Sequence, residues 1–201
     1  MENEVNRVVS DMLHSDDDYL VLVGKLTLLF SEVEERFVHD ALFLAEMSAD
    51  ATLKADAEPS RISRLRVLEK RDFLKRAIVE TGRYYDLDPR RVVAVLNEFT
   101  NLHKIRRVVV HGSIRWSMTD ERPVFVDNRG EAIPASHSDL ANLNARLLSW
   151  FADYNAEMAA VMRDVLKAYE GLAERLLLRA KSPELQALFR EFKEHVVAAL
   201  G

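Results

Sequence analysis

Apolar residues recur every three or four positions along most of the chain, which is the period of an α-helix with one buried face. The clearest stripe lies between about Asp17 and Met47 and consists of Leu22, Leu26, Leu29, Val33 and Phe37. Other apolar residues widen this stripe, so we expect this helix to be buried on most sides at the centre of the core. A short amphipathic helix is predicted before it, at residues 3–13.

Two basic helices are predicted after a polar stretch. Residues 48–60 are polar and alanine-rich and contain Pro59, which predicts a loop. Helices are predicted from Arg61 to about Gly82 and from Pro89 to about Val110. Asp88 before Pro89 is a strong start signal for the second helix, because an acidic cap followed by proline favours a first helical turn.

The period changes after Gly112. Ile114, Trp116 and Met118 alternate with polar residues, which predicts a small β-hairpin at about residues 113–130. A long helix that begins at Ser138 and a C-terminal helix at about residues 183–199 follow. The chain is therefore predicted to be all-α. We expect a single domain over residues 1–201, an up-and-down helical bundle with a small β-hairpin inserted after the fourth helix.

Charge is unevenly distributed along the chain. The net charge is −5, yet residues 60–116 hold 14 Lys or Arg and 6 Asp or Glu, so this part carries +8 and the remainder −13. A basic middle in an acidic protein favours a localised anionic ligand over general coating of nucleic acid. The alternative interpretation is a solvated helix face that forms ion pairs with the acidic segments.

Composition excludes several classes of site. The chain has no cysteine, so it has no disulfide, no thiolate nucleophile and no cysteine-based zinc site. The acidic start, with Glu2 and Glu4, is unlike a signal peptide, and no apolar run is long enough to span a membrane. We expect a cytoplasmic protein that does not contact membranes. No metal-binding motif and no cofactor motif is present, so neither a metal nor a cofactor is expected.

The segment from Asn101 to Gly112 is the strongest candidate for chemistry. Val92, Phe99 and Arg106 lie seven residues apart, so Arg106 falls on the apolar stripe, where a guanidinium must be paired or face a polar cleft. The side chains beside it are also basic or imidazole groups: His103, Lys104, Arg107 and His111.

This segment resembles the motif of HEPN domains, helical bundles of which many are metal-independent ribonucleases in toxin, antiphage and RNA-processing systems. Their signature is an arginine, usually a polar residue, several variable residues and then a histidine, commonly followed by glycine. Arg106, His111 and Gly112 match it here. The acid-containing segment at residues 30–34 also resembles the first long helix of related bundles. Many members have asparagine after the motif arginine, whereas this chain has Arg107, so the register is open between Arg106 and Arg107.

The resemblance implies roles for these residues in RNA cleavage by the 2′-hydroxyl of the substrate. His111 would be the general acid/base, because histidine titrates near neutral pH, and Arg106 would clamp the phosphate. The basic residues Arg107, His103 and Lys104 would bind substrate. Glu34 would orient Arg106.

Five residues on an ideal helix separate Arg106 and His111 by about 140°. They can meet on one phosphate if the helix is distorted near Gly112, if the arginine curls round, or if a second subunit contributes. The resemblance implies a homodimer, an RNA substrate and an antitoxin or another partner protein. A second hypothesis is a non-catalytic helical interaction module in which Arg106 belongs to a structural ion pair.

Overall fold

The long apolar stripes of the sequence form the long helices of the protein. The computed structural model describes residues 17–119, 121–180 and 187, and the chain in these ranges is mostly helical. The helices are α1 (Asp17–Met47), α2 (Ala51–Asp56), α3 (Pro59–Ser63), α4 (Val67–Tyr85), α5 (Arg90–His111) and α6 (His137–Ala180). The helix predicted at residues 3–13, and all but one residue of the helix predicted at 183–199, lie outside the described residues.

Helix α1 is the central element of the core, as its apolar stripe predicts. It packs against α4 and α6, and α5 packs between α1 and α6. Aromatic side chains from three helices meet in the core and form the aromatic cluster: Phe30 and Phe37 from α1, Phe99 from α5, and Trp150 and Tyr154 from α6. All five are buried, and each such side chain contributes roughly 1.5–3 kcal/mol through burial.

Two polar groups in this aromatic cluster have internal hydrogen-bond partners. The Trp150 indole N–H donates to the carbonyl oxygen of Val95 at 2.8 Å, and the Tyr154 hydroxyl donates to Asp40 Oδ2 at 2.5 Å. Arg36 Nε lies 3.0 Å from the other carboxylate oxygen of Asp40. The buried Asp40 carboxylate is therefore both hydrogen-bonded and paired, as a buried charge must be.

Three short strands follow α5: β1 (Ser113–Ser117), β2 (Arg122–Val126) and β3 (Ala132–Pro134). They form one antiparallel sheet in the order β1-β2-β3, with Ile114 opposite Phe125 and Val124 opposite Pro134. The prediction of a small antiparallel β element after the basic helix is confirmed. The third strand was not predicted, because three residues ending in proline carry no alternating pattern.

The prediction of a loop over residues 48–60 is wrong, since this stretch forms α2 and α3. The Asp50 carboxylate accepts hydrogen bonds from the backbone N–H groups of Thr52 at 2.8 Å and Leu53 at 3.1 Å and so caps α2. Pro59 occupies the first turn of α3, where a missing N–H costs nothing. Here proline starts a helix, although a proline in a polar stretch is also typical of a loop.

Helix α4 lies several residues later than predicted at both ends. It begins at Val67, and the side chain of Glu69 caps this end by accepting a hydrogen bond from the Arg66 backbone N–H at 2.7 Å. It continues through Gly82 to its last residue, Tyr85. Asp86 follows as the C-cap and adopts a left-handed conformation with φ of 57°. Aspartate tolerates this conformation better than most residues, so the helix does not need glycine at its end.

Candidate functional site

Helix α5 carries the candidate residues and is continuous from Arg90 to His111. Its buried face includes Val92, Leu96 and Phe99, and Arg106 extends the same stripe towards the C-terminal end. The helix has no break between Arg106 and His111, so the separation of about 140° around its axis remains. The helix is therefore not distorted before Gly112.

Arg106 lies between an acid and an aromatic ring, both on α1. Its Nη2 atom is 3.3 Å from Glu34 Oε1, and its guanidinium lies 5.7 Å from the centre of the Phe30 ring. The side chain is 24 % exposed, and its Nε atom is buried without a hydrogen-bond partner among the described residues. The structure thus brings Glu34 and Arg106 together, while Arg106 keeps unused hydrogen-bonding capacity.

Lys70 lies beside Glu34 and Arg106, and these three residues form the Glu34 cluster; the sequence pattern did not indicate Lys70. Its Nζ atom on α4 lies 3.5 Å from Glu34 Oε2, so that Glu34 stands between a lysine and an arginine from two other helices. Lys70 is one of several basic residues on α4, and no motif distinguishes it from the others. Only the packing of α4 against α1 could identify it.

Arg107 faces the sheet, away from the Glu34 cluster. It pairs with Asp127, whose Oδ2 atom is 2.9 Å from Arg107 Nη2, and with Glu131. The N–H groups of Arg107 do not point directly at Asp127 Oδ2, so this contact is an ion pair without a well-aligned hydrogen bond. Two carboxylates therefore already neutralise Arg107, to which the resemblance assigns a role in substrate binding.

Asp127 organises the turn between β2 and β3. Its Oδ1 atom accepts hydrogen bonds from the backbone N–H groups of Arg129 at 2.9 Å and Glu131 at 3.0 Å. Gly130 has φ of 80°, which suits glycine in such a turn. Burial tends to raise the pKa of Asp127, but these hydrogen bonds and Arg107 outweigh it and hold the pKa below its usual range.

His103 is half-buried beside Phe99, with a distance of 6.2 Å between the two ring centres. Burial lowers the pKa of His103, and the positive charge of Arg106 lowers it further. Its Nδ1 atom has no hydrogen-bond partner among the described residues. Lys104, one residue later, is exposed. Protonation of His103 is thus disfavoured near Arg106, whereas Lys104 is exposed to solvent.

His111 is exposed at the last position of α5, five residues after Arg106. Gly112 follows, and its backbone N–H donates to the carbonyl oxygen of Val108 at 2.9 Å. The chain then turns directly into β1. The motif histidine therefore sits at the junction of helix and sheet, on a different side of α5 from Arg106.

The described residues contain no group of three or more potential metal ligands. None of the helices in the same ranges has the length and apolar content required to cross a membrane. Comparison with known protein families, curated proteins and solved structures gives no match for this chain.

Proposed function

We propose that this chain is a HEPN-like RNA-binding protein, an up-and-down helical bundle that acts as a metal-independent endoribonuclease of a toxin or defence system. The observation that carries the proposal is the contrast between the two motif residues. Arg106 is held by Glu34 and Phe30, while its Nε–H has no partner among the described residues, and His111 is exposed at the end of the same helix. A fixed cation and an accessible imidazole are the groups this reaction requires.

In the proposed reaction, the 2′-hydroxyl oxygen of the RNA attacks the adjacent phosphorus atom. An imidazole accepts the hydroxyl proton, the bond from phosphorus to the 5′-oxygen breaks, and the leaving oxygen receives a proton from an imidazolium, so that no net proton is consumed. The products are a 2′,3′-cyclic phosphate and a 5′-hydroxyl end. His111 takes the proton-transfer role, and Arg106 neutralises the charge that develops on the phosphorane.

A homodimer could bring Arg106 of one chain next to His111 of the other, although the two residues lie on different sides of α5 within one chain. Surface apolar residues beside the motif favour such packing. A cavity of about 360 Å³ lies between the start of α1, the end of α5 and the sheet, next to Gly112. Leu20 and Val110 line it and are 44 % and 36 % exposed, although both are large apolar side chains.

The test is RNA cleavage in the presence of a chelator, with a panel of structured and unstructured RNAs. We expect cleavage products that end in a cyclic phosphate and a loss of activity of about 10²-fold or more in His111→Ala, the usual contribution of acid–base catalysis. His39→Ala is the matched control, because His39 is also exposed but lies on α1. Intact RNA across the whole panel, or equal activity of His111→Ala and wild type, would contradict the proposal.

The second candidate function is a non-catalytic helical interaction module. It is favoured by the ion pair of Arg106 with Glu34 and by the Phe30 ring beneath the guanidinium, which together are what a structural arginine would show. This interpretation predicts that Arg106→Ala lowers the unfolding free energy by a few kcal/mol because Glu34 loses a partner. An unchanged melting temperature in Arg106→Ala, together with lost RNA binding, would favour the first candidate instead.

A further inference from the structure

Glu34 is the only carboxylate paired with Arg106 and Lys70 among the described residues. The two cations approach different oxygens of this carboxylate from two helices, α4 and α5. Lys70 is 12 % exposed, Glu34 22 % and Arg106 24 %, so the cluster is partly shielded from water but still reachable. One negative charge faces two positive charges, which leaves the cluster with an excess of +1.

The contacts of Glu34 are longer than good charge-assisted hydrogen bonds. Such bonds have N–O distances of about 2.7–2.9 Å, whereas Glu34 lies 3.3 Å from Arg106 Nη2 and 3.5 Å from Lys70 Nζ. The buried Nε–H of Arg106 has no partner within the described ranges, so the guanidinium is incompletely satisfied. The cluster therefore carries excess positive charge on two loosely paired cations, which a larger, more highly charged anion could bind more fully.

A tetrahedral phosphate group matches this arrangement better than a carboxylate does. It presents several oxygens, and arginine binds such groups through two parallel N–H donors while lysine contributes a point charge. We propose that Glu34 holds, in the unliganded protein, the place that a phosphate group takes between Arg106 and Lys70, and that substrate binding displaces it. Glu34 is then an internal competitor of the substrate, and Lys70 is a phosphate-binding residue.

This inference rests on the proposed function only in assigning the phosphate to an RNA backbone. A phosphate of a small metabolite has the same chemistry, and the experiment separates the two sources. The displacement also gives Glu34 a role opposite to that of a simple orienting residue. An orienting carboxylate strengthens phosphate binding, whereas a competing carboxylate weakens it, so the two roles differ in the sign of a measurable effect.

The experiment is a titration with inorganic phosphate at constant ionic strength, followed by NMR of the arginine Nε–H signals. We expect Glu34→Gln to tighten phosphate binding by about threefold or more and Lys70→Gln to weaken it by about tenfold, the usual scale for one charged hydrogen bond. Lys70→Arg should retain binding. Glu32→Gln on α1 and Lys54→Gln on α2 are matched controls, since both residues are exposed, and each should stay within about twofold of wild type.

Weaker phosphate binding in Glu34→Gln would overturn the proposal, because Glu34 would then support the site. Equal binding in wild type and Lys70→Gln would overturn it as well. Melting temperatures identify any variant that fails to fold. If Glu34→Gln fails to fold, Glu34→Asp serves as the second variant. Its shorter side chain places the carboxylate further from the cations, so it should also tighten phosphate binding.

A 2′-O-methylated oligonucleotide, which cannot be cleaved, tests the source of the phosphate by fluorescence anisotropy. If the RNA backbone is the ligand, Glu34→Gln should bind the oligonucleotide more tightly than wild type and Lys70→Gln more weakly. An unchanged affinity in all variants would overturn that assignment. The outcome is distinguishable from failure of the proposed function. Phosphate binding that tightens in Glu34→Gln supports this site even if no RNA is cleaved, and His111-dependent cleavage with unaltered phosphate binding refutes this site alone.

Discussion

Gly112 lies so close to Val108 that no side chain fits on it. A Cβ atom at position 112 would be 2.2 Å from the carbonyl oxygen of Val108 and 3.0 Å from that of Val126. The glycine that follows the motif histidine therefore has a packing reason, independent of chemistry. It allows the end of α5 to pass directly into β1 while β2 packs against the junction.

Gly112→Ala should lower the unfolding free energy by about 1–3 kcal/mol or more, the usual cost of forcing extra atoms into a packed site. Urea unfolding measures the change. Gly24→Ala is the matched control with the opposite expected sign. Nothing lies within 4 Å of a Cβ at position 24. Alanine should stabilise the helix there by roughly 0.5–1 kcal/mol. A neutral effect of Gly112→Ala would contradict the close approach.

Tyr154→Phe should destabilise the protein by about 1–3 kcal/mol, because the buried Asp40 carboxylate loses a hydrogen bond. Burial raises the pKa of Asp40 above its ordinary value of 3.8, and the Tyr154 hydroxyl opposes that rise. The contribution of this carboxyl to stability is therefore highest below pH 3.8 and falls as the pH rises through its pKa in the folded protein.

The defect of Tyr154→Phe should accordingly be larger near neutral pH than in mild acid. Denaturant unfolding at both pH values measures it, and Tyr84→Phe, which alters an exposed tyrosine, is the control. A defect that grows on acidification would show that Asp40 is not the group responsible.

His103 should make stability depend on pH in the opposite direction. Burial and Arg106 lower the pKa of His103 from its ordinary value of 6.5, so the unfolded chain binds a proton that the folded chain resists. This contribution to stability is fully present above pH 6.5 and is lost as the pH falls towards the pKa of the folded state. His103→Gln should flatten that part of the stability curve, with His39→Gln as the control. An NMR titration that gives His103 a pKa above 6.5 would contradict this expectation.

Arg107→Gln should loosen the turn between β2 and β3, because Asp127 and Glu131 both lose their shared cation. We expect a lower melting temperature and faster hydrogen exchange at the backbone N–H groups of Arg129 and Glu131, which donate hydrogen bonds to Asp127 Oδ1. Arg146→Gln, on the exposed surface of α6, should change neither. If Arg107→Gln instead weakened RNA binding with the turn intact, Arg107 would be a substrate-binding residue, as the motif implied.

The sequence pattern was sufficient to predict the long helices, because the apolar stripes of α1, α5 and α6 extend over many turns. It was insufficient for α2 and α3, where one capping aspartate and one proline decide the structure locally. For the site, position on the apolar stripe indicated that Arg106 needs a partner, and Glu34 is found beside it. Lys70 could not be identified, because its proximity to Glu34 depends on how two helices pack, and spacing along one helix contains no such information.

Trp150 stacks with Tyr154 at a ring-centre distance of 5.5 Å inside the aromatic cluster, while Trp116, the other tryptophan of the chain, lies half-buried on β1. The indole in the helical core is shielded from water, and the one on the sheet is partly hydrated, so their fluorescence emission should differ in wavelength. Trp116→Phe isolates the signal of the core, and the difference from wild type isolates that of the sheet. The protein thus carries two intrinsic optical probes, which can show whether the sheet melts together with the helices or before them.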